Sequence, residues 1–472
     1  MLPQRAVFKM SLRPARRPDI FCKGGGDMEL NNGGSCGCGK KHVCDVKKLI
    51  IEKGALVSLP SLLCEAGAEK PFLIMDENTK KAAGDTVSDI LKNAGIPFSS
   101  YVYETTEPLA PTEETFGRVM MFWDPSCDCI VAVGSGVIND VSKLVSRVSG
   151  RPYILVLTAP SMDGMVSPTS SMDVQSLKVS LPSAAVHSVV ADIDVLAHAP
   201  RRMILAGFGD MLAKYVSVTE WKISHIITGE YYCEKIASLL QSALQQVFDA
   251  APRLLSGDEE AIRTLTDGLL LAGCAMAYAG VTRPASGMEH YISHIIDMRH
   301  LVFGTPADLH GIQAGIGTLY TLKLYEEIEK IDAIDIGKAE RYAAAFDYNE
   351  WSQMLRAFVG KSAESMIALE AKEHKYDKAV HKARIKKIAE KWSELRGVMK
   401  EMLPPSQKIE DTMKALGMPL RLTELGVAPH DIPTLVKCTK DIHDKYVGTR
   451  LLWDIGELDD ILQKVSENYF DI

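Results

Sequence analysis

The chain has 472 residues, of which 46% are hydrophobic and 24% charged, and it carries a formal net charge of −8. This balance suits a globular protein of two or three domains, and the negative charge excludes a general polyanion binder, because nucleic-acid partners demand a basic footprint. No run approaches the roughly 18 apolar residues of a membrane-spanning helix, so a soluble, cytoplasmic protein is expected.

The opening stretch is arginine-rich and acid-poor, as transit peptides are, but residues 1–30 are read instead as a flexible tail or an over-long start. Cys36, Cys38, His42 and Cys44 then cluster in GGSCGCGKKHVC. Their C-x-C-x-x-x-H-x-C spacing does not match the usual pairs of zinc ligands. The surrounding glycines suit a tight turn, so a structural turn is preferred to a zinc knuckle. The 10 cysteines of the chain are too thinly spread for a disulfide scaffold and fit a reducing compartment.

From Phe72 to Asp194 short apolar runs alternate with helical segments. PFLIMD, CIVAVGSG and PYILVLTAP read as buried strands of a parallel α/β sheet, and VHSVVADIDVLAHAP closes this half. In CIVAVGSGVINDVSKLV, Gly134 and Gly136 stand where a strand gives way to a helix, so backbone amides there can face a pyrophosphate. Asn139 occupies the place of the third glycine in G-x-G-x-x-G, which weakens the motif taken alone. Asp76 ends the strand PFLIMD. It is either the acceptor for a ribose hydroxyl, which would favour NAD(H) over NADP(H) by repelling a 2′-phosphate, or the cap of the helix that follows. The loop LTAPSMDGMVSPTSSM brings Thr158, Ser161, Asp163, Ser167 and Ser170 to the carboxyl end of the next strand, where α/β proteins bind ligands. A plain turn is its other reading.

Pro200 and the Arg201-Arg202 pair mark a boundary, with an α/β dinucleotide-binding domain expected over residues 31–199 and a helical metal- and substrate-binding domain over 200–472. The second half carries long stretches with helical periodicity, such as KIASLLQSALQQVFDAAPRLL and KARIKKIAEKWSELRGVMKEML. Within it lie Asp210 in a Gly-Asp pair, His290 and His294 in E-H-x-x-x-H, and His310 in His-Gly. A lone histidine is more often a packing residue than a ligand. One carboxylate and two imidazoles, however, make a three-ligand divalent site that leaves a coordination position open for substrate, as catalytic sites do. His290 and His294 share a helix face, so one can bind metal while the other faces the same cavity.

Taken together, AVGSGVINDVSKL, TAPSMDGMVS, GFGDMLAKY, RPASGMEHYISH and LHGIQAGIGTLY resemble, in that order, the sn-glycerol-1-phosphate dehydrogenases, and CGCGKKHVCDVKKLIIEKGALVSLPSLL looks like the opening of the bacterial members. This family lies within the metal-dependent glycerol dehydrogenase and dehydroquinate synthase superfamily. The resemblance implies an N-terminal Rossmann-like α/β nucleotide domain, an all-helical C-terminal metal-binding domain, and an active site in the cleft between them. It implies Asp210, His290 and His310 as ligands of one divalent metal, zinc or nickel, and His294 and Asp163 as lining the substrate pocket. Nucleotide contacts would fall on Asp76, Gly134, Ser135, Gly136, Val137, Ile138, Thr158, Ala159, Pro160, Ser161 and Ser167. One departure is Ser135, where many superfamily members have glycine; it is tolerated if its side chain points away from the pyrophosphate.

The reaction so implied is reversible hydride transfer from NAD(P)H to dihydroxyacetone phosphate, giving sn-glycerol 1-phosphate. Asp210 holds the metal at the reacting centre, His294 is the candidate for protonating the alkoxide or only hydrogen-bonds the substrate, and Asp163 orients a hydroxyl or relays the proton. Lys214 and Arg283 are the candidates for the substrate phosphate, with ordinary surface charge as their other reading. The alternative function is glycerol dehydrogenase or another NAD-linked polyol dehydrogenase of the same fold. A homodimer or larger homo-oligomer is expected.

Overall fold

The computed structural model describes residues 28–29, 36–106, 109–175 and 177–469. The expected flexible tail lies outside the described residues except at its last strand positions. The described residues form ten strands: β1 (Met28–Glu29), β2 (Val43–Cys44), β3 (Lys48–Glu52), β4 (Pro71–Asp76), β5 (Ser99–Tyr103), β6 (Cys129–Gly134), β7 (Tyr153–Leu157), β8 (Thr169–Val174), β9 (Leu177–Pro182) and β10 (Ser188–Asp192). Six form one sheet in the order β3-β10-β7-β6-β4-β5, and every pairing in it is parallel.

Alternation along the strands explains how the sheet is covered. Phe72, Ile74, Ile130, Ala132, Leu155 and Val189 face one core, while Leu73, Met75, Val131, Val133, Ile154, Val156 and Val190 face a second core with Leu59, Leu62, Val87 and Leu91. Burial on both faces is why β4, β6, β7 and β10 read as unbroken apolar runs. The edge strands β3 and β5 did not stand out in the sequence. Being half-exposed, they carry polar residues at their ends, Lys48 and Glu52 in β3 and Ser99 and Ser100 in β5, which leave only three consecutive apolar or aromatic positions in each. The loop after β7 also differs from expectation, since it ends in an antiparallel β8–β9 hairpin in which Ser170 is fully buried and donates to the Asp140 carbonyl.

Chain order reverses beside β4, which has β5 on one side and β6 on the other. Asp76 and Gly134 end these adjacent strands, so both stand at the crevice where open α/β sheets seat their ligands. After β10 no further strand occurs among the described residues. Pro200 opens the long helix Arg201–Thr228, followed by Glu234–Ala250, Glu259–Ala279, Met288–Phe303 and His310–Ile328. None of the described helices is long and apolar enough to cross a membrane.

Two glycines set how closely these helices approach. A Cβ on Gly207 would fall 1.9 Å from the Pro160 carbonyl oxygen, and one on Gly311 would fall 1.9 Å from that of Ala206. Only glycine permits these contacts. The first seats the Arg201–Thr228 helix on the β7 loop, and the second crosses it with the helix that starts at His310.

Candidate active site

Those crossings bring the three metal-site candidates together. Asp210 lies in the Arg201–Thr228 helix, His290 at the start of Met288–Phe303, and His310 opens His310–Ile328. One ligand atom from each lies within 4.8 Å of the others, and His290 Nε2 is 3.4 Å from Asp210 Oδ1. The second nitrogen of each ring is already engaged: His290 Nδ1 is 2.8 Å from Glu289 Oε1 and His310 Nδ1 is 3.2 Å from Ser293 Oγ. Such outer partners orient ligating imidazoles and fix their tautomer. Glu289 is itself held by the Gly287 amide at 2.8 Å. Two convergent imidazoles and a carboxylate, each oriented from behind, fit a divalent transition metal.

Asp210 is fully buried yet remains charged. Burial alone would raise its carboxyl, but Lys214 and His290 outweigh that and hold it far below the usual carboxylate range. Burial likewise opposes the charged form of His290, but its bonds to Asp210 and Glu289 win and raise it to about 9. His310 is pushed down to about 3, by burial first and then by the charge of His290.

His294 shares the chamber, its ring centroid 6.1 Å from His310 and 6.5 Å from His290. A residue not singled out in the sequence, His443, closes the group at 5.6 Å from His294. It comes from a C-terminal segment with no ligand-like spacing. Burial, then His443, His310 and His290, drive His294 well below the ordinary imidazole range.

The two expected phosphate donors, Lys214 and Arg283, both lie buried among internal partners. Lys214 is buried, with its ammonium 2.5 Å from Asp163 Oδ2, 3.0 Å from Asp210 Oδ1 and 3.3 Å from the Ala285 carbonyl. An ammonium has three donors, and all three are engaged within the protein. Arg283 is also fully buried and spends its guanidinium on Glu230 at 3.2 Å, on the Glu220 carbonyl at 3.1 Å and on the Tyr446 carbonyl. Both are drawn into internal pairs, while Arg283 Nη1 is buried without a hydrogen-bond partner among the described residues. Another cation near this chamber is Lys178 on β9, its ammonium 3.3 Å from Asp173 Oδ1 and 4.0 Å from Asp297 Oδ2.

Asp163 joins this network through its backbone as well, its amide donating to Asp210 Oδ2 at 2.9 Å. Burial and Asp210 raise its carboxyl, against the pull of Lys214. It can therefore take up a proton more readily than an exposed aspartate.

On the sheet side, Gly134, Ser135, Gly136, Val137 and Ile138 form the turn from β6 into the helix Gly136–Ser149. Ser135 turns its hydroxyl to the neighbouring loop, 2.5 Å from Ser161 Oγ and 3.3 Å from the Ala159 carbonyl, which is how serine is accommodated at the centre of the turn. Thr158 is tied to the same turn by its amide, 3.1 Å from the Gly134 carbonyl, and Pro160 and Ser161 continue the wall. Asn139 accepts from the Tyr153 hydroxyl at 2.8 Å. Asp76 caps a short helix, one carboxylate oxygen accepting from the Thr79 amide at 2.8 Å in a capping box. Ser167 is buried, and its hydroxyl donates to the carbonyls of Gly164 and Thr169 at 3.1 and 2.9 Å.

A family model described as iron-containing alcohol dehydrogenase matches residues 50–200. The glycerol-1-phosphate dehydrogenase [NAD(P)+] of Halalkalibacterium halodurans is 33% identical over 62% of this chain and 74% of its own length. That of Bacillus licheniformis is 27% identical over 91% of this chain and 95% of its own. Among solved structures, the archaeal halo-thermophilic Red Sea brine pool alcohol dehydrogenase superposes with a TM-score of 0.59 at 16% identity, over 90% of this chain and 98% of its own. At that identity the likeness concerns the fold alone.

Proposed function

The chain belongs to the glycerol-1-phosphate dehydrogenase family, and from that premise we propose that it reduces dihydroxyacetone phosphate reversibly to sn-glycerol 1-phosphate with NAD(P)H. The observation that carries this reading is the convergence of Asp210, His290 and His310 within 4.8 Å in a chamber shared with His294. These three residues would hold a zinc or nickel ion, which when bound would act as a Lewis acid on the substrate carbonyl.

The remaining steps fall to the chain's own groups. Neutral His294 donates a hydrogen bond to the substrate and fixes which face of the carbonyl meets the nicotinamide. Asp163, with its raised carboxyl and its contact to Lys214, handles the proton at the carbonyl oxygen. Lys214 keeps the buried carboxylates of Asp163 and Asp210 neutralised and does not reach the substrate. Lys178 supplies the cation for the phosphate.

The dinucleotide lies across the switch point between β4 and β6, its pyrophosphate on the amides from Gly134 to Ile138, where the start of the Gly136–Ser149 helix favours negative charge. NADH is preferred to NADPH because the Asp76 carboxylate ends β4 beside that turn and repels a 2′-phosphate. The test is NADH oxidation with dihydroxyacetone phosphate and with dihydroxyacetone, followed by stereochemical analysis of the product. A strong preference for the phosphorylated ketone and an sn-1 product support the reading; equal use of both ketones, or an sn-3 product, overturns it.

A further inference from the structure

A second group of ligand-type side chains converges outside the catalytic chamber. Cys36, Cys38 and His42, from the segment before β2, meet Cys233, which caps the Glu234–Ala250 helix. One donor atom from each of the four lies within 4.8 Å of the other three. Cys36 Sγ is 3.6 Å from Cys233 Sγ, and His42 Nε2 is 3.2 Å from Cys38 Sγ and 3.4 Å from Cys233 Sγ. We propose that these four residues bind a structural zinc ion.

The spacing is what supports zinc. Tetrahedral zinc with Zn–S near 2.3 Å and Zn–N near 2.0–2.1 Å sets neighbouring sulfurs about 3.8 Å apart, and sulfur and nitrogen about 3.6 Å apart. The observed separations approach these values for both kinds of pair. A disulfide explains less: its sulfurs lie about 2.05 Å apart, and it would leave a third thiol and an imidazole aimed at the same point for no reason. His42 is also prepared from behind, its Nδ1 lying 2.9 Å from the Tyr278 carbonyl, which presents Nε2 to the sulfurs as an orienting partner should. Four protein ligands fill the coordination shell, so this ion would hold structure and leave no place for substrate.

Sequence spacing hid the site because its fourth ligand lies 191 residues beyond His42. Cys44, the neighbour in sequence, turns away to Cys274 at 3.5 Å. The tight turn expected here is also present, with the Gly39 amide on the Cys36 carbonyl at 3.0 Å and Gly39 at φ 81°. It wraps Cys36 and Cys38 around one point.

The ion would fasten the N-terminal segment to the helical half. Cys233 lies just beyond the helix that carries Asp210, and Tyr278 just before the turn that leads to His290. Tyr231 adds support, its hydroxyl 3.4 Å from Cys38 Sγ and its ring under the Lys40 ammonium at 3.7 Å.

The experiment uses the full chain in two preparations, one treated with a chelator strong enough to clear the open catalytic site and analysed for metal, the other produced with cobalt supplied in place of zinc. About one zinc per chain is expected to survive the chelator, and the cobalt derivative should show an intense near-ultraviolet thiolate-to-cobalt band that Cys38→Ser or Cys233→Ser weakens. His310→Ala should retain both signals, since it belongs to the other site. Absence of a retained ion together with absence of the thiolate band overturns the proposal, as does a Cys36–Cys233 disulfide in native protein. The cobalt spectrum of the unmutated chain decides the matter even where a cysteine variant does not fold.

Discussion

Lys214 stands one helical turn after Asp210, and its ammonium lies 3.0 Å from the Asp210 carboxylate with neither side chain exposed. Its other carboxylate partner, Asp163, is 2.5 Å away. One buried cation thus serves two buried acids at the wall of the chamber. Removing it leaves both without their compensating charge, and breaking a buried pair costs about 3–5 kcal/mol. Lys214→Met should destabilise the metal-stripped chain by about that much in urea unfolding. It should not raise KM selectively for the phosphorylated ketone; a selective rise would return Lys214 to the phosphate.

Lys178 is the residue on which that selective effect is expected. Lys178→Ala should raise KM for dihydroxyacetone phosphate at least tenfold, roughly the worth of one charge-assisted contact, and change dihydroxyacetone reduction much less. Parallel losses on both ketones would assign it to packing the β8–β9 hairpin.

Gly311 follows His310 and packs its backbone on Ala206, where a Cβ would lie 1.9 Å from a carbonyl oxygen. Backbone cannot yield as a side-chain tip can, and overpacking costs about 1–3 kcal/mol or more. Gly311→Ala should lower Tm and weaken catalytic metal binding together, because the helix it displaces carries a ligand. A variant with wild-type Tm and metal affinity would contradict the close crossing.

Glu220 is fully buried beneath the histidine helix, accepting from the amides of Met288 at 2.9 Å and Gly448 at 2.7 Å. Burial first, and Glu289 second, push its carboxyl from 4.5 up to about 7. The folded chain therefore keeps a proton that the unfolded chain releases. Its contribution to stability is complete below pH 4.5 and is lost as pH rises through about 7. Glu220→Gln should flatten the fall in unfolding free energy over that interval, as read from denaturant titrations at several pH values. An unchanged slope would mean that another group carries it.

The convergence of Asp210, His290 and His310 was legible because each stands in a short pattern with a local reason. The glycines of GFGD and HG belong to helix crossings, and the histidine pair sits at helical spacing. Central strands were legible through their unbroken apolar runs, whereas β3 and β5 were hidden by their half-exposure. That Lys214 and Arg283 are buried beside internal partners was hidden, because adjacency to a ligand says nothing of the partners a charge meets in the fold. His443 and Cys233 were beyond reach, since each joins its cluster only through tertiary packing of segments with no pattern of their own.

The central claim is that Asp210, His290 and His310 hold the divalent ion on which turnover depends. Its most direct test is to strip the wild-type chain and His310→Ala of catalytic metal, re-supply zinc or nickel, and measure dihydroxyacetone phosphate reduction alongside circular dichroism. The wild type should regain activity with added metal, and the variant should stay at least a hundredfold slower, the scale of losing catalytic electrostatic stabilisation, with its helical signal intact. A variant that turns over at the wild-type rate, or a stripped wild type that needs no metal, would contradict the account.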